Sequence, residues 1–231
     1  MITRMRRNPA GLHLALMLAL TFSTGVIDAV GYLGLDRVFT GNMTGNVVIL
    51  GMALTGANDL PIVGPIIALV LFMTGAAVSG RTLRHESAGW HNRSTALFSV
   101  VGLVLVAAAV PMLIDSDPAE PIKLSVTGAL GLAMGLQAGA ARHIGVKDVT
   151  TVVVTSTIVG LAYDSVFAGR SKGHPWPRRV LAIALIGVGA AVGALLLQVS
   201  ISAGILVAAG ITLLVALVGH LGRPAPAAAA E

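Results

Sequence analysis

One acidic residue in this chain stands where an acid is costly. Asp28 falls inside the apolar run Gly25-Val-Ile-Asp-Ala-Val-Gly-Tyr32 and is the one carboxylate placed well within such a run. An ionised carboxylate at membrane depth costs at least about 2.5 kcal/mol, so the group must be protonated, paired or turned toward a wet cavity. A carboxyl that exchanges a proton with such a cavity suits proton coupling to a passing solute. The competing reading is a neutral Asp28 that only hydrogen-bonds a neighbouring helix.

The second group is Thr40-Gly-Asn-Met-Thr-Gly-Asn46, which repeats Thr-Gly-Asn. Glycine lets the backbone leave a helix and approach another chain segment, while Thr and Asn satisfy the polar groups released. Irregular backbone at membrane depth persists only when it is buried in protein or lines water. A helix starting near Thr44 would turn free N–H groups and the positive end of its dipole toward an anion or a carbonyl oxygen. Asn42, Thr44 and Asn46 are therefore candidate lining, unless the segment is a helix cap sealed inside the bundle. A later stretch, Thr150-Thr151 with Thr155-Ser-Thr157, offers hydroxyls and no charge, which points to a polar or weakly charged solute. Gln137 and Tyr32 could border the same cavity, or each could be a packing contact between helices.

Other reactive residues form no recognisable site. His85 and His91 flank Glu86 in a basic loop, without the converging geometry that a metal requires, so no metal site is expected. No nucleophile elbow, zinc-binding helix motif or phosphate loop occurs, and neither an enzyme nor a cofactor is expected. There is no cysteine, which excludes disulfides, thiolate metal sites and thiol nucleophiles.

The elements that must carry these groups follow from composition. Of 231 residues, 55% are hydrophobic and 11% charged, with a mean hydropathy of +0.89, as in a polytopic membrane protein. Six stretches are long enough to cross a bilayer: about 12–34, 61–80, 95–114, 123–143, 180–199 and 202–221. Two more, 40–54 and 150–162, are short and polar at their N-terminal ends. If both are half-membrane segments that enter and leave on one side, 13 of the 15 Lys and Arg fall on the cytoplasmic face, and only Arg37 and Lys123 lie outside. If both cross fully, the split weakens to 9 against 6. The expected architecture is thus an all-α polytopic bundle of six spans plus two half-membrane segments, with cytoplasmic N and C termini. The net charge of +5 is absorbed by this topology and leaves no basic stripe for nucleic acid.

Residues 1–11 read as a cytoplasmic segment, 12–221 as one transmembrane domain and 222–231 as a disordered low-complexity tail. A signal peptide is not expected, because the first apolar run continues to Gly34 without a small-residue cleavage pattern. The order of segments also repeats. Gly25 answers Gly135 at an offset of 110, Thr40 and Thr44 answer Thr151 and Thr155 at 111, and Gly75-Ala-Ala-Val78 answers Gly189-Ala-Ala-Val192 at 114. Halves at about 12–114 and 123–221 would each cross three times, so the second would be inverted, an arrangement that in transporters places discontinuous helices near the bilayer midplane.

The runs Thr24-Gly-Val-Ile-Asp-Ala-Val-Gly-Tyr-Leu33 and Val38-Phe-Thr-Gly-Asn-Met-Thr-Gly-Asn-Val47 resemble the signature of the YoaK-like family of bacterial integral membrane proteins. Met134-Gly-Leu-Gln137, Val149-Thr-Thr151 and Thr155 resemble that family's second half, and the likeness covers about 12–220. Ala138 departs from the pattern, which in many members has Asn after Met-Gly-x-Gln, so no polar pairing across the repeat can use that position. The family is a domain of unknown function; the resemblance implies a bacterial inner-membrane location and no substrate. From the residues themselves, the expectation is a small transporter or facilitator for a polar solute, with Asp28 as its proton-responsive group. The competing class is a membrane scaffold or accessory subunit. The bundle is small and Gly-rich, which is compatible with a homodimer in the lipid bilayer.

Overall fold

The computed structural model describes residues 8–57, 59–146, 154–165 and 176–223. Among these the chain is all helical: α1 (Pro9–Gly34), α2 (Met43–Ala53), α3 (Val63–Leu83), α4 (Asn92–Ile114), α5 (Glu120–Ile144), α6 (Thr155–Tyr163), α7 (Trp176–Leu197) and α8 (Ile201–Gly222). Six of these are long and apolar enough to cross a membrane. At about 1.5 Å per residue, the 11 residues of α2 and the 9 of α6 reach about half of a hydrocarbon core of roughly 30 Å.

Helix ends follow local chemistry. Asn8 caps α1 through the Gly11 N–H at 3.0 Å, with Pro9 opening the helix, so the first span begins three residues earlier than apolarity alone suggests. His91 and Ser94 form a capping box at α4. Gly145, at φ +73°, stops α5 in the left-handed conformation that glycine adopts without strain. Ser200 caps α8 through the Ala203 N–H at 3.0 Å.

Contacts at the two ends of the bundle fix the path of the chain. His13 of α1 lies 6.2 Å from Trp90 in the α3–α4 loop, His143 of α5 bonds the Ser87 carbonyl at 2.9 Å, and Gly219 of α8 abuts the Trp90 ring. The opposite end gathers the close of α1, the start of α3 beside Val38 and Leu124, and the α7–α8 junction, where Gly34 meets Leu197 and Ile201. α1 therefore finishes at the end where α3 starts, and α2 does not cross. By the same logic α5 finishes at the end where α7 starts, and α6 does not cross either. Among the described residues Arg81, Arg84, Arg93, Arg142, Arg178, Arg179 and Arg223 collect at the first end, with only Arg37 and Lys123 at the other.

α1 and α5 form the centre. α1 packs on α7 and α8, α5 packs on α3 and α4, and α4 packs on α8; α2 rests on α3, and α6 on α7. These partnerships are unchanged when α1–α4 are exchanged for α5–α8. The outward faces of the peripheral helices carry exposed apolar side chains such as Val70 and Met73 on α3 and Val188 and Leu195 on α7, a surface made for lipid tails.

Candidate functional site

Asp28 lies six residues before the end of α1, facing a chain segment that runs back alongside it. After Gly34 the backbone reverses. The Val38 N–H bonds the Gly31 carbonyl at 3.3 Å, and a Cβ on Gly31 would strike the Val38 carbonyl oxygen, so only glycine admits this approach. The segment reaches the depth of Asp28, where one carboxylate oxygen, Oδ1, accepts three successive backbone N–H groups: Thr40 at 3.1 Å, Gly41 at 2.7 Å and Asn42 at 3.3 Å. Three convergent donors on one oxygen satisfy irregular backbone that would otherwise be orphaned at membrane depth. α2 then starts at Met43 and returns toward the end from which the segment came, with the Asn42 side chain capping the Gly45 N–H at 3.3 Å.

Asn46 serves the segment rather than the cavity. Its Oδ1 accepts from the Phe39 N–H at 2.9 Å, its Nδ2 donates to the Phe39 carbonyl, and the residue is wholly buried. Phe39 in turn stacks on Tyr32 with ring centroids 4.8 Å apart. Asn46→Leu removes both bonds and leaves two buried backbone groups unpaired, at about 1–3 kcal/mol each. The expected result is a clearly lowered unfolding midpoint in detergent, read by differential scanning fluorimetry. An unchanged midpoint would mean that the clamp carries no load.

A cavity of about 220 Å³ opens beside Asp28 and is bordered by Asn42, Thr44, Phe72, Thr155 and Ile186, among others. Phe72 and Ile186 stand near the middle of α3 and α7, so the cavity lies at mid-depth in the bundle. Both short helices begin at it: α2 leaves toward one end of the bundle and α6 toward the other. An adjoining space of about 360 Å³ shares Asn42, Thr44 and Thr155 and adds Tyr32. The Asp28 Oδ2 oxygen takes no hydrogen bond from the described residues, although Asp28 borders the cavity and is only 8% exposed.

Of the residues singled out in the sequence, the structure thus brings Asp28, Asn42, Thr44 and Thr155 to one cavity, and Tyr32 to its neighbour. Gln137 is buried away from that wall. Its Nε2 donates to the Thr24 hydroxyl at 3.2 Å, and because that hydroxyl donates to the Leu20 carbonyl, the direction of the bond is fixed. Gln137 Oε1 and Thr40 Oγ1 are buried without a hydrogen-bond partner. Thr157 is buried inside α6, and Thr151 lies outside the described residues. Sequence reasoning missed Phe72 and Ile186, whose apolar type carries no signal, and the Thr40–Asn42 N–H groups, which have no side-chain signature.

At its far end α6 is tied down by Arg179 from the first turn of α7. Its guanidinium bonds the Gly160 carbonyl at 2.6 Å and Asp164 at 2.8 Å, a cation placed at a helix C-terminus.

Residues 16–218 match a family described as protein of unknown function, DUF1275. Over 187 residues the chain is 29% identical to the UPF0700 transmembrane protein YoaK of Bacillus subtilis (strain 168), which spans 78% of this chain and 82% of that one. No solved structure matches the chain.

Proposed function

Because the chain belongs to the DUF1275 family and six of its helices are long enough to cross a bilayer, we propose that it is a small transporter or facilitator for a polar solute, with Asp28 as its proton-responsive group. The observation that carries this reading is the mid-depth cavity at which two half-length helices begin, beside a buried carboxylate with one oxygen uncommitted. A scaffold needs its helices to touch. It does not need two broken helices to open onto a shared polar space.

Duplication with inversion is part of the same reading. The exchange of α1–α4 for α5–α8 preserves every packing partnership, and the offsets seen in the sequence reappear between atoms in contact. A Cβ on Gly25 would fall on the Ile186 carbonyl, and one on Gly135 on the Phe72 carbonyl. Gly75 approaches Leu132 as Gly189 approaches Phe22. The pathway then lies between the halves. The arginine-rich end faces the cytoplasm of a bacterial inner membrane by the positive-inside rule, with both termini there. A homodimer would use the exposed apolar faces of the peripheral helices.

Since the chain has no cysteine, single probes report without background. Asn42→Cys and Thr155→Cys are expected to react with a water-soluble thiol reagent in membranes, while Leu130→Cys in the core stays silent. Silence at 42 and 155, with a loop control such as Ser116→Cys reacting, would remove the pathway and favour the scaffold.

A further inference from the structure

The helices sort into two bodies that do not follow the sequence halves. α1 is joined to α7 and α8, and α5 to α3 and α4, while α2 rests on α3 and α6 on α7. One body is therefore α2–α5 and the other is α1 with α6–α8, and the chain passes between them twice, after α1 and after α5. Within each body the helices meet backbone to backbone. Cβ atoms on Gly25, Gly189 and Gly193 would fall on main-chain atoms of Ile186, Phe22 and Val26, all in the second body; those on Gly75, Gly131 and Gly135 would fall on Leu132, Ala68 and Phe72, all in the first. Seams of that kind resist sliding, because no side chain stands between the helices to change rotamer.

Contacts between the bodies are of another kind. Most lie along α4 and α8, where a Cβ on Gly102 would meet the Leu213 side chain and Trp90, from the loop before α4, lodges against Gly219. α1 and α5 barely touch: Gln137 of α5 bonds Thr24 of α1, and Met134 of α5 faces Gly41 in the segment clamped to α1. Among the described residues α3 does not pack on α7, nor α2 on α6. The bodies thus share a spine on one side and leave the other side to the cavity, bordered by Asn42, Thr44 and Phe72 from the first body and by Asp28, Thr155 and Ile186 from the second. Both crossings carry left-handed backbone, at Asp36 (φ +59°) and Arg37 (φ +56°) in one and at Gly145 (φ +73°) in the other. Two successive residues other than glycine in that region are uncommon, and short links at helix ends are where a hinge takes up its change of backbone angle.

We propose that the two bodies rock about the α4–α8 spine, opening and closing the α1–α5 face beside the cavity, with Asp36-Arg37 and Gly145 as hinges. This rests on the transport reading and supplies its moving parts. Asp28 sits where the motion is felt, on one body and holding the segment that enters the other.

Gln137→Trp is the wedge that tests it, since the position is wholly buried between the bodies and the larger ring fits only if the face opens. Pairs of spin labels at exposed positions of the cysteine-free chain read the movement. Between Met73→Cys on α3 and Val188→Cys on α7 the wedge is expected to lengthen the mean distance by at least about 3 Å, on the scale of a hinge motion. Within a body, between Met73→Cys and Val110→Cys, and across the spine, between Leu103→Cys and Leu214→Cys, the change is expected to stay within about 1 Å. No change at any pair, or equal changes at all three, overturns the proposal. Should the wedge variant not fold, thiol labelling of the otherwise unaltered chain decides. Met134 and Ala68 are both wholly buried, the first at the face between the bodies and the second in the α3–α5 seam. A water-soluble reagent is expected to label Met134→Cys at least about tenfold faster than Ala68→Cys, because the face opens locally and the seam does not. Equal rates overturn the proposal as well. If Asn42→Cys and Thr155→Cys react while Met134→Cys labels no faster than Ala68→Cys, the bodies are fixed and the pathway survives. If Asn42→Cys and Thr155→Cys also stay silent, the transport reading itself fails.

Discussion

Asp28→Ala is expected to yield little folded protein, whereas Asp28→Asn folds and loses its response to pH. Alanine leaves the N–H groups of Thr40, Gly41 and Asn42 without their acceptor. Each unsatisfied buried donor costs about 1–3 kcal/mol. Three at once rival the roughly 5–15 kcal/mol by which a folded domain is stable, although water entering from the cavity offsets part of the loss. Asparagine keeps one carbonyl-type oxygen for the three donors and puts an amide nitrogen in place of Oδ2. The segment from Leu35 to Asn42 should then hold, but the site can no longer exchange a proton. Size-exclusion profiles separate the first variant from the second, and the pH profile of labelling at Thr155→Cys separates the second from the parent. If Asp28→Ala were as monodisperse as the parent, the carboxylate would not be what holds the segment. If Asp28→Asn kept the parent's pH profile, proton responsiveness would have to be sought elsewhere.

The sequence reveals this site unevenly, for physical reasons. Length and apolarity mark the six long helices, because a bilayer crossing imposes a minimum on both. The polar N-terminal ends of 40–54 and 150–162 mark the two short helices, since a chain that enters the membrane without helix must bring polar groups to satisfy its backbone. A lone carboxylate in an apolar run draws attention to Asp28 for the same reason. Residue type does not say which way a side chain turns. Asn42 and Asn46 belong to the same Thr-Gly-Asn repeat, yet Asn42 borders the cavity and Asn46 is sealed around the Phe39 backbone. Gln137 reads as lining and sits behind the wall, bonded to Thr24. The partners of Asp28 are main-chain N–H groups, which any sequence would supply, so only the backbone path reveals them.

The asymmetry of the two short helices joins the fold to the proposed chemistry. A duplicated and inverted frame would give two equivalent helix ends at one cavity, and equivalent ends bind alike. Ala138 stands 110 residues after Asp28, the offset that pairs Gly25 with Gly135, and so breaks that equivalence: a carboxylate on α1 holds the segment that leads into α2, and the matching position on α5 carries none.

The other large effect concerns the glycines that let the halves close. A Cβ on Gly135 would land on the Phe72 carbonyl oxygen, and one on Gly25 on that of Ile186; Gly75 and Gly189 meet the Leu132 and Phe22 carbonyls in the same way. Each obstacle is the main chain of a facing helix, with no rotamer to give way. Valine at any of these positions must push two helices apart along a tightly packed seam. Overpacking costs about 1–3 kcal/mol where neighbours can yield, and here the cost should exceed that range. Gly25→Val, Gly75→Val, Gly135→Val and Gly189→Val are therefore expected to abolish recovery of monodisperse protein from detergent extracts. Gly187→Val supplies the control: it lies two residues before Gly189 on α7, a Cβ there meets nothing within 4 Å, and the variant should be recovered like the parent. The four severe variants also form two pairs, 25 with 135 and 75 with 189, and an inverted duplication requires each pair to fail together. Loss at Gly135 with tolerance at Gly25 would break the equivalence of the halves, and with it the reason for assigning Ala138 to the place of Asp28.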